Sequence, residues 1–371
     1  PGCGTYFATN DFVSDGCNVI TLPGAASLQR ADDGIRHAKD DGQFGFALRY
    51  VSQALGDTEF GLYAMNIHSR APVASAIYNN VDEAAIGAQA AADFTASLNL
   101  TAPPTAEQVA AITAVGQGAG AFAVVSSTKY FVEYPEDIQL YGLSFAANLG
   151  SMALSGEISH KIDAPIQINP TQSIAATLDP LGTASLAALD MVAPELDAAV
   201  AAAGEGGTTQ GYRVFDISQA QVTAVQFIDQ VMGANRITLI GEAGYTFIHG
   251  FKEGSGEIRY GRAGIFSLPG NTDGFVTESS YGYRTRVVAE YNDAFMGINL
   301  TPVLAFSHDV KGYAPQPGGA FVEGQQSLGF TLNADYQSTY NASLSYTQFM
   351  GGDYSVISDR DFASVSVGMQ F

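Results

Sequence analysis

The sequence predicts an all-β membrane protein: an antiparallel transmembrane β-barrel whose long extracellular loops carry short α-helices. Segments of about ten residues alternate between apolar and polar side chains, as the strands of outer-membrane barrels do. Charged residues make up only 14% of the chain, well below the roughly 25% that is usual in soluble domains. No run of about 18 apolar residues occurs, so strands rather than helices would have to cross a bilayer.

The last ten residues show the alternation most clearly. Ala363, Val365, Val367 and Met369 share one face of a strand, and small polar residues occupy the other. The chain ends in Phe371 on the apolar face, which resembles the C-terminal signal that the outer-membrane barrel assembly machinery recognises. Alternation in one strand also suits any half-buried sheet, so the prediction depends on how often the pattern recurs.

The pattern recurs in about eleven segments of transmembrane length. They lie at 43–52, 58–68, 139–147, 152–159, 214–227, 236–248, 283–291, 298–308, 328–336, 340–346 and 362–371. Their connections alternate between short turns, near residues 55, 149, 231, 294 and 338, and long loops, at 69–137, 163–212, 250–279, 309–326 and 351–361. Tight periplasmic turns and long extracellular loops give outer-membrane barrels this asymmetry. We therefore expect the barrel within residues 43–371.

Two of the long loops are predicted to contain helices. In the 69–137 excursion, an Ala-rich helix covers 81–97, and a capping box at Thr105 and Gln108 opens a second helix through Val115. In the 163–212 excursion, an Ala/Leu-rich helix covers 184–203. We expect these helices either to cap the mouth of the barrel or to form an apolar collecting site for a hydrophobic ligand.

The opening segment, residues 1–42, lacks a period and is predicted to be an extracellular loop. Its two cysteines, Cys3 and Cys17, indicate one disulfide and hence an oxidising compartment, with two free thiols as the alternative.

The final strand follows a long loop and so is expected to descend to the periplasm. Because the direction alternates from strand to strand, the 43–52 strand is expected to descend too. Bacterial barrels have even strand counts, so we expect further N-terminal strands that this sequence lacks.

Charged side chains in the polar phase of the strands are predicted to face the lumen. They are Arg49, Glu157, Glu242, Arg284, Arg286, Glu290 and Asp335. One interpretation is structural, with ion networks that stiffen a wet wall. The other is a polarised constriction that screens solutes.

Aromatic side chains at the turn-side ends of the strands are predicted to form the periplasmic girdle. They are Tyr50, Tyr291, Tyr336, Tyr340 and Phe371. The chain has no Trp, so Tyr and Phe must supply both belts.

Other function classes find little support in the sequence. The net charge of −21 argues against nucleic acid as a partner. No close histidine spacing indicates a metal site, and no cofactor motif is present. A hydrolase would need His68 with Ser69, or Ser307 with His308 and Asp309, but no Gly-x-Ser-x-Gly elbow accompanies them. We therefore expect a non-enzymatic protein.

Several stretches resemble a known family. They include 43–50, 58–63, 66–72, 156–159, 165–168 and the block Tyr134-Pro135-Glu136-Asp137 that opens 134–145. Together they are similar to the proteobacterial family called domain of unknown function 1302. The resemblance implies an outer-membrane barrel with a signal peptide and further strands at the N-terminus. It also implies genes for a periplasmic lipid-carrier-like protein and export-type transporters nearby, and hence traffic of lipids or other hydrophobic compounds.

We therefore expect a non-enzymatic outer-membrane channel or transporter for hydrophobic small molecules or lipids in a Gram-negative bacterium. The alternative is a structural or surface-assembly protein whose large loops bind partners. Expected partners are outer-membrane lipid, lipopolysaccharide and the barrel assembly machinery during insertion. A periplasmic lipid-carrier protein and other barrel subunits are further candidates.

Overall fold

The structure, a computed structural model, describes residues 19–21, 27–77, 81–178, 193–203, 207–254, 256–263, 266 and 273–370. These residues are mostly β. In chain order the strands are β1 (Val19–Thr21), β2 (Ser27–Arg36), β3 (Phe44–Ser52), β4 (Thr58–Ile67), β5 (Val73–Ile77), β6 (Lys129–Glu133), β7 (Ile138–Leu149), β8 (Met152–Gln167), β9 (Thr208–Thr209), β10 (Tyr212–Val231), β11 (Ala234–Ile248), β12 (Ser279–Phe295), β13 (Ile298–Lys311), β14 (Gln326–Tyr336), β15 (Tyr340–Met350) and β16 (Phe362–Met369).

Eleven of these strands form one antiparallel meander, with the order β16-β15-β14-β13-β12-β11-β10-β8-β7-β4-β3. The prediction of about eleven antiparallel strands is confirmed, and so is the alternation of short and long connections. The segment at 214–227, whose phase is ambiguous in the sequence, lies within β10, the longest strand. The loop expected to begin at 163 begins later, because β8 continues to Gln167.

The two faces of this large sheet differ in chemistry. Apolar side chains stand in register across the strands: Val287 pairs with Leu304, Leu304 with Phe330, and Phe330 with Tyr346. They are exposed: Phe44 is 70% exposed and Val367 is 81% exposed. We call this side the exposed apolar face, and the opposite side, which carries the charged residues, the polar face.

The large sheet is open. Its edge strands are β3 and β16, and within the described residues these two strands do not pair with each other. Each edge therefore keeps a row of backbone groups for a further strand. The strand number and pairing agree with the predicted fold class, whereas closure into a barrel is not observed.

A second, five-stranded sheet was not predicted. Its order is β1-β2-β6-β5-β9, and β2 and β6 pair in parallel, with Ile35 opposite Val132. Residues 27–36 were expected in an irregular loop, and that expectation is wrong because they form β2. The strand has no clean alternation, since its register against β6 shifts between Arg30 and Ile35. Its pairing partner also lies about a hundred residues away along the chain, beyond the reach of local patterns.

Four helices accompany the second sheet: α1 (Glu83–Ser97), α2 (Ala106–Ser127), α3 (Pro170–Leu178) and α4 (Pro194–Ala203). The capping box at Thr105 is present as expected, but α2 continues well past Val115. Of the helix expected at 184–203, the structure describes α4, and α3 was not predicted. None of the helices in the described segments is long and apolar enough to cross a bilayer.

A compact apolar core lies at the end of the sheet where the long loops emerge. Ile166, Ile168, Leu196 and Ile248 are fully buried there. The complete set, which we call the loop-end core, is Val124, Ala164, Ile166, Ile168, Ala176, Ala193, Leu196, Val200, Ile217, Ile248, Phe251, Ile258, Tyr260 and Val276. It joins the tops of β8, β10 and β11 to the helices above them.

Three predicted residues lie outside the described part of the chain. Cys3 and Cys17 are among them, so the predicted disulfide receives no support from the structure. Phe371, the proposed last member of the girdle, is the third.

Candidate functional site

The polar face of the large sheet brings together all seven charged residues predicted to point inward. Strand registers place Arg49 in one row with Glu157, through Gly61 and Ser144. In the next row toward the short turns, Glu242 lies directly opposite Arg284. The shared face follows from the period-two alternation of each strand, which the sequence already shows. That this face lines a lumen is part of the proposal below.

At one edge of the polar face the contacts are loose. Arg49 Nε lies 3.7 Å from a carboxylate oxygen of Glu59, and both side chains are well exposed, so this pair adds little stability. Glu242 accepts hydrogen bonds from Gln221 at 2.9 Å and from Thr223 at 3.2 Å. Both donors are on β10, so these hydrogen bonds fix the Glu242 carboxylate on the polar face in the middle of the sheet.

Near the centre of the sheet, Arg284 makes the tightest charged contact of this face. Its Nη2 lies 2.8 Å from Asp309 Oδ1, and the Asp309 side chain is only 3% exposed, against 39% for Arg284. Arg284 also donates a hydrogen bond to the carbonyl of Ala320, and Asp309 accepts one from the backbone N–H of Val322. This ion pair therefore fastens the loop that contains Ala320 and Val322 to the polar face.

That loop, residues 312–325, folds over the polar face, and we call it the infolded loop. Phe321 packs above Gly244 and Gly282 and is almost fully buried. A Cβ atom at Gly244 would lie 3.2 Å from the Phe321 ring, and one at Gly282 would lie 3.1 Å from it. Side chains at these two positions would push the ring away. Sequence reasoning missed this contact, although glycines in the polar phase were a signal for a close approach.

The remaining charges lie toward the short-turn end. Arg286 stands opposite Ile240 and Ala305, and Glu290 stands opposite Arg236, which itself bonds to Asp229 at 2.9 Å. Asp335 accepts a hydrogen bond from the backbone N–H of Ser338 at 3.2 Å and so supports the β14–β15 turn. Asp335 thus has a structural contact, whereas Arg284 holds a loop in place.

The long loops, including Tyr313 and Glu323 of the infolded loop, border an open cavity of about 640 Å³, which we call the mouth cavity. Arg259, Tyr260, Phe275, Tyr313 and Tyr354 are among its lining residues. Its volume lies within the range of roughly 300–1,000 Å³ that is usual for small-molecule sites. Beside the aromatic rings the lining has two cations, Lys252 and Arg259, and four carboxylates, Glu253, Asp273, Glu323 and Asp353, so the cavity is aromatic and net acidic.

Burial shifts the titration of groups around the mouth cavity. The Arg262 guanidinium lies 3.9 Å above the Phe275 ring and donates a hydrogen bond to the carbonyl of Asp273. Its burial lowers the pKa to about 10. Burial raises the pKa of Tyr260 to about 12, and burial together with the Glu323 carboxylate raises the pKa of Tyr313 to about 12. At neutral pH the arginine is charged and both phenols are protonated donors.

The predicted girdle residues that the structure describes lie near the short turns. Tyr50 is exposed close to the end of β3, and Tyr291 stands opposite Leu300 near the β12–β13 turn. Tyr336 and Tyr340 flank the β14–β15 turn with ring centroids 6.4 Å apart. The structure therefore places these four aromatic rings at one end of the sheet.

The residues named for a hydrolase do not come together. His68 is buried, with Nε2 2.8 Å from the carbonyl of Asp41, and it accepts the backbone N–H of Asp137 at Nδ1. Ser307 bonds to Ser327 on the polar face, whereas His308 stacks near Tyr283 on the exposed apolar face. These side chains therefore have structural contacts and do not form a triad.

The described residues contain no group of three or more His, Cys, Asp or Glu that could hold a metal ion. We take the polar face, the infolded loop and the mouth cavity together as the candidate site, because Tyr313 and Glu323 of the infolded loop line the cavity and Phe321 packs on the polar face. A search of curated proteins found no match. A family model described as "protein of unknown function (DUF1302)" matches residues 1–371, and the chain therefore belongs to this family.

Proposed function

We propose that the chain is an outer-membrane β-barrel channel or transporter that passes hydrophobic small molecules or lipids without enzymatic chemistry. The observation that carries the proposal is the exposed apolar face, which continues across all eleven strands of the meander. Exposed apolar patches on soluble monomers are rarely larger than a few hundred Å². A bilayer would cover such a face and remove the cost of its exposure.

The proposal requires closed sheet edges. Within a bilayer the unpaired backbone groups of β3 and β16 would each cost several kcal/mol. Further strands between these edges, from the same chain or from another subunit, would satisfy them. The polar face would then line the lumen, and the infolded loop would narrow it, as loops do in other barrels of this kind.

The route follows from the arrangement of the candidate site. A solute would enter the mouth cavity, meet Arg259 and the aromatic rings, and then pass the infolded loop at Phe321. The Arg284–Asp309 pair holds that loop in place and in this proposal would set the width of the passage. Expected partners are outer-membrane lipid, lipopolysaccharide, the barrel assembly machinery and a periplasmic lipid-carrier protein.

A second candidate function is surface assembly through the loops, with α1 and α2 as the observation that favours it. These helices pack closely, since a Cβ atom at Gly87 would lie 2.8 Å from the carbonyl oxygen of Gly116. Val109 and Phe122 nevertheless stay exposed on α2. An apolar surface on a rigid helix pair suits a protein partner.

Uptake of N-phenylnaphthylamine by intact cells tests the transport proposal, because this hydrophobic dye fluoresces only after it crosses the outer membrane. We expect cells that produce the full protein to take up the dye faster than cells that lack it. Phe321→Ala, which removes the ring from the passage, should increase uptake further. Phe330→Ala removes an equal ring from the exposed apolar face and serves as the matched control.

Membrane fractionation accompanies the assay. Protein in the outer-membrane fraction with no change in dye uptake would reject transport and favour surface assembly. Recovery of the protein outside the membrane fractions would reject both candidate functions.

A further inference from the structure

A groove of about 760 Å³ crosses the exposed apolar face at β10. Its floor includes the small outward residues Gly156, Ala220 and Ala243, with Val222 of β10 between Gly156 and Ala243. Larger side chains stand on both sides of this floor: Phe60, Leu143, Phe145 and Ile158 on the β4–β8 side, and Tyr245, Tyr281 and Tyr283 on the β11–β12 side. Because neighbouring strands lie about 4.8 Å apart, the low strip is about as wide as one hydrocarbon chain.

The depth of the groove depends on residues that lack bulk. A Cβ atom at Gly156 would lie 2.5 Å from the Phe145 ring, so glycine lets that ring lie down against β8. Ala220 pairs with Ile158 on one side and Tyr245 on the other, both well exposed. In other apolar rows large side chains face one another, as Leu304 and Phe330 do, although Ala334 and Ala342 form a small pair on β14 and β15.

A polar cluster lies next to this groove on its loop-end side. Ser218, the next outward residue of β10 after Ala220, pairs with His160 on β8 and Phe247 on β11. The Ser218 hydroxyl lies 3.0 Å from His160 Nδ1 and 2.8 Å from His249 Nε2. The two imidazole centroids are 5.4 Å apart. Two histidines that are 89 positions apart in the sequence thus contact the same hydroxyl group beside the groove.

We propose that the groove and this cluster form a binding site for a long-chain fatty acid, with the acyl chain along Ala220 and the carboxylate at His160, Ser218 and His249. The inference rests on the proposed position of the exposed apolar face in a bilayer. It names a ligand class and a site on the outside of the sheet, apart from the passage described above.

The shape and the chemistry of the site select this occupant. A strip that is one strand wide accommodates one acyl chain better than the paired chains of a phospholipid. The ring nitrogens not engaged by Ser218, His160 Nε2 and His249 Nδ1, are donors when protonated, and imidazolium pairs well with a carboxylate. The carboxylate of Asp216, two residues before Ser218 in the chain, accepts a hydrogen bond from the backbone N–H of Asp163.

Photo-crosslinking in nanodiscs of zwitterionic phospholipid tests the proposal. The probe is palmitic acid with a diazirine in the chain, and mass spectrometry maps the labelled peptides of the whole protein. We expect labels to concentrate on peptides from β8, β10 and β11 and to saturate. Ala220→Leu fills the strip and should lower labelling about tenfold, whereas Ala342→Leu, an equal change on the exposed face of β15, should leave it unchanged.

The polar end has its own variants. His160→Gln combined with His249→Gln should raise the probe concentration for half-saturation about tenfold, because the carboxylate loses its imidazole partners. His308→Gln, on the same face of β13, is the matched control and should have no effect. The corresponding diazirine-labelled fatty alcohol should bind the wild-type protein as weakly as the acid binds the double variant.

Several outcomes would overturn the site. Labels spread evenly over all eleven strands would support the membrane position of the face but reject the groove. Equal effects of Ala220→Leu and Ala342→Leu, or equal saturation by the alcohol and the acid, would reject the fatty acid. Equal labelling of the groove by a two-chain phospholipid probe would reject a single-chain occupant. Absence of labels from the exposed face would reject both the site and the proposed membrane position.

Discussion

Two isoleucines of the same strand, β8, have opposite environments. Ile166 is 0% exposed in the loop-end core, whereas Ile158 is 61% exposed on the apolar face of the large sheet. A bulge separates them: Asp163 has a φ of 58°, and the register against β10 shifts there, so the alternation reverses and the two side chains lie on opposite faces of the sheet. For these two residues burial therefore depends on the face and the end of the strand that they occupy, not on residue type.

The difference indicates two apolar environments in one molecule. At the loop end, side chains from strands and helices bury one another, as in a soluble domain. In the middle of the sheet the protein supplies no cover, although each exposed isoleucine forgoes about 1.5–3 kcal/mol that burial would contribute. A fold that buries apolar side chains on one side of the loop end and leaves the opposite face of the sheet bare is consistent with an external apolar medium around the sheet.

Truncation of the two isoleucines should give the largest contrast. Ile166→Ala should lower the free energy of unfolding by about 2–5 kcal/mol, because it leaves a cavity in a packed core. Ile158→Ala should change it by no more than about 0.5 kcal/mol. Urea unfolding in detergent micelles measures both. Equal losses would mean that Ile158 is covered by protein, and the comparison would fail.

Charge placed on either side of β16 should give the next largest contrast. Val365→Arg puts a cation on the exposed apolar face and should cost about 2–4 kcal/mol in a bilayer if this position lies near the midplane. Ser366→Arg puts the same cation on the polar face and should cost much less. Folding into lipid vesicles measures both free energies. Equal costs for the two variants would contradict a lipid-covered apolar face.

The sequence predicted the part of the fold that rests on local periodicity. Alternation between neighbouring residues is a property of each strand alone, so the eleven strands of the meander could be predicted directly. The same alternation predicts that Val365 and Ser366 lie on opposite faces of β16. The connections were equally accessible, because turn residues separate the apolar runs. The N-terminus of α2 was found for the same reason, since Thr105 and Gln108 lie within one turn of each other.

The parts that depend on non-local contacts were not predicted. The second sheet pairs β2 with β6 across about a hundred residues, and the infolded loop reaches Arg284 from Ala320. The site at Ser218 needs the register of three strands before His160 and His249 meet. No spacing rule in one sequence gives such registers, since loops of very different length can join the same pair of strands.

The infolded loop connects the two regions and offers a third test. Arg284→Met removes the partner of the buried Asp309 carboxylate and should cost about 1–3 kcal/mol of local stability. The loop should then open more often, which limited proteolysis within 312–325 would detect. Arg286→Met, on the same face two residues away, should leave cleavage unchanged. Identical cleavage of the two variants would show that Arg284 does not hold the loop.

The smallest expected effect concerns a contact at the loop end that is open to water. The Lys39 ammonium lies 3.1 Å from Glu136 and 2.9 Å from Asp137, and the Lys39 backbone N–H bonds to the Glu136 carboxylate at 2.7 Å. These bonds lower the pKa of both carboxyl groups and raise the pKa of the Lys39 ammonium. The ionised carboxylates therefore stabilise this contact at pH values above about 4, which is the ordinary pKa of a carboxyl group.

As the pH falls through the lowered pKa values of the Glu136 and Asp137 carboxyl groups in the folded protein, their contribution to stability should be lost. The contribution of the lysine should be lost only as the pH rises above about 10. Hydrogen exchange of the Lys39 amide measures the contact. Correction for the intrinsic exchange rate should leave lower protection below pH 4 than at pH 6. Lys39→Gln should weaken this acid response, because neither carboxyl group then has a charged partner. Acid could instead lower protection throughout the loop-end core, for example at the Ile248 amide. The Lys39 contact would then be part of that core, which would contradict its assignment to a separate region that is open to water.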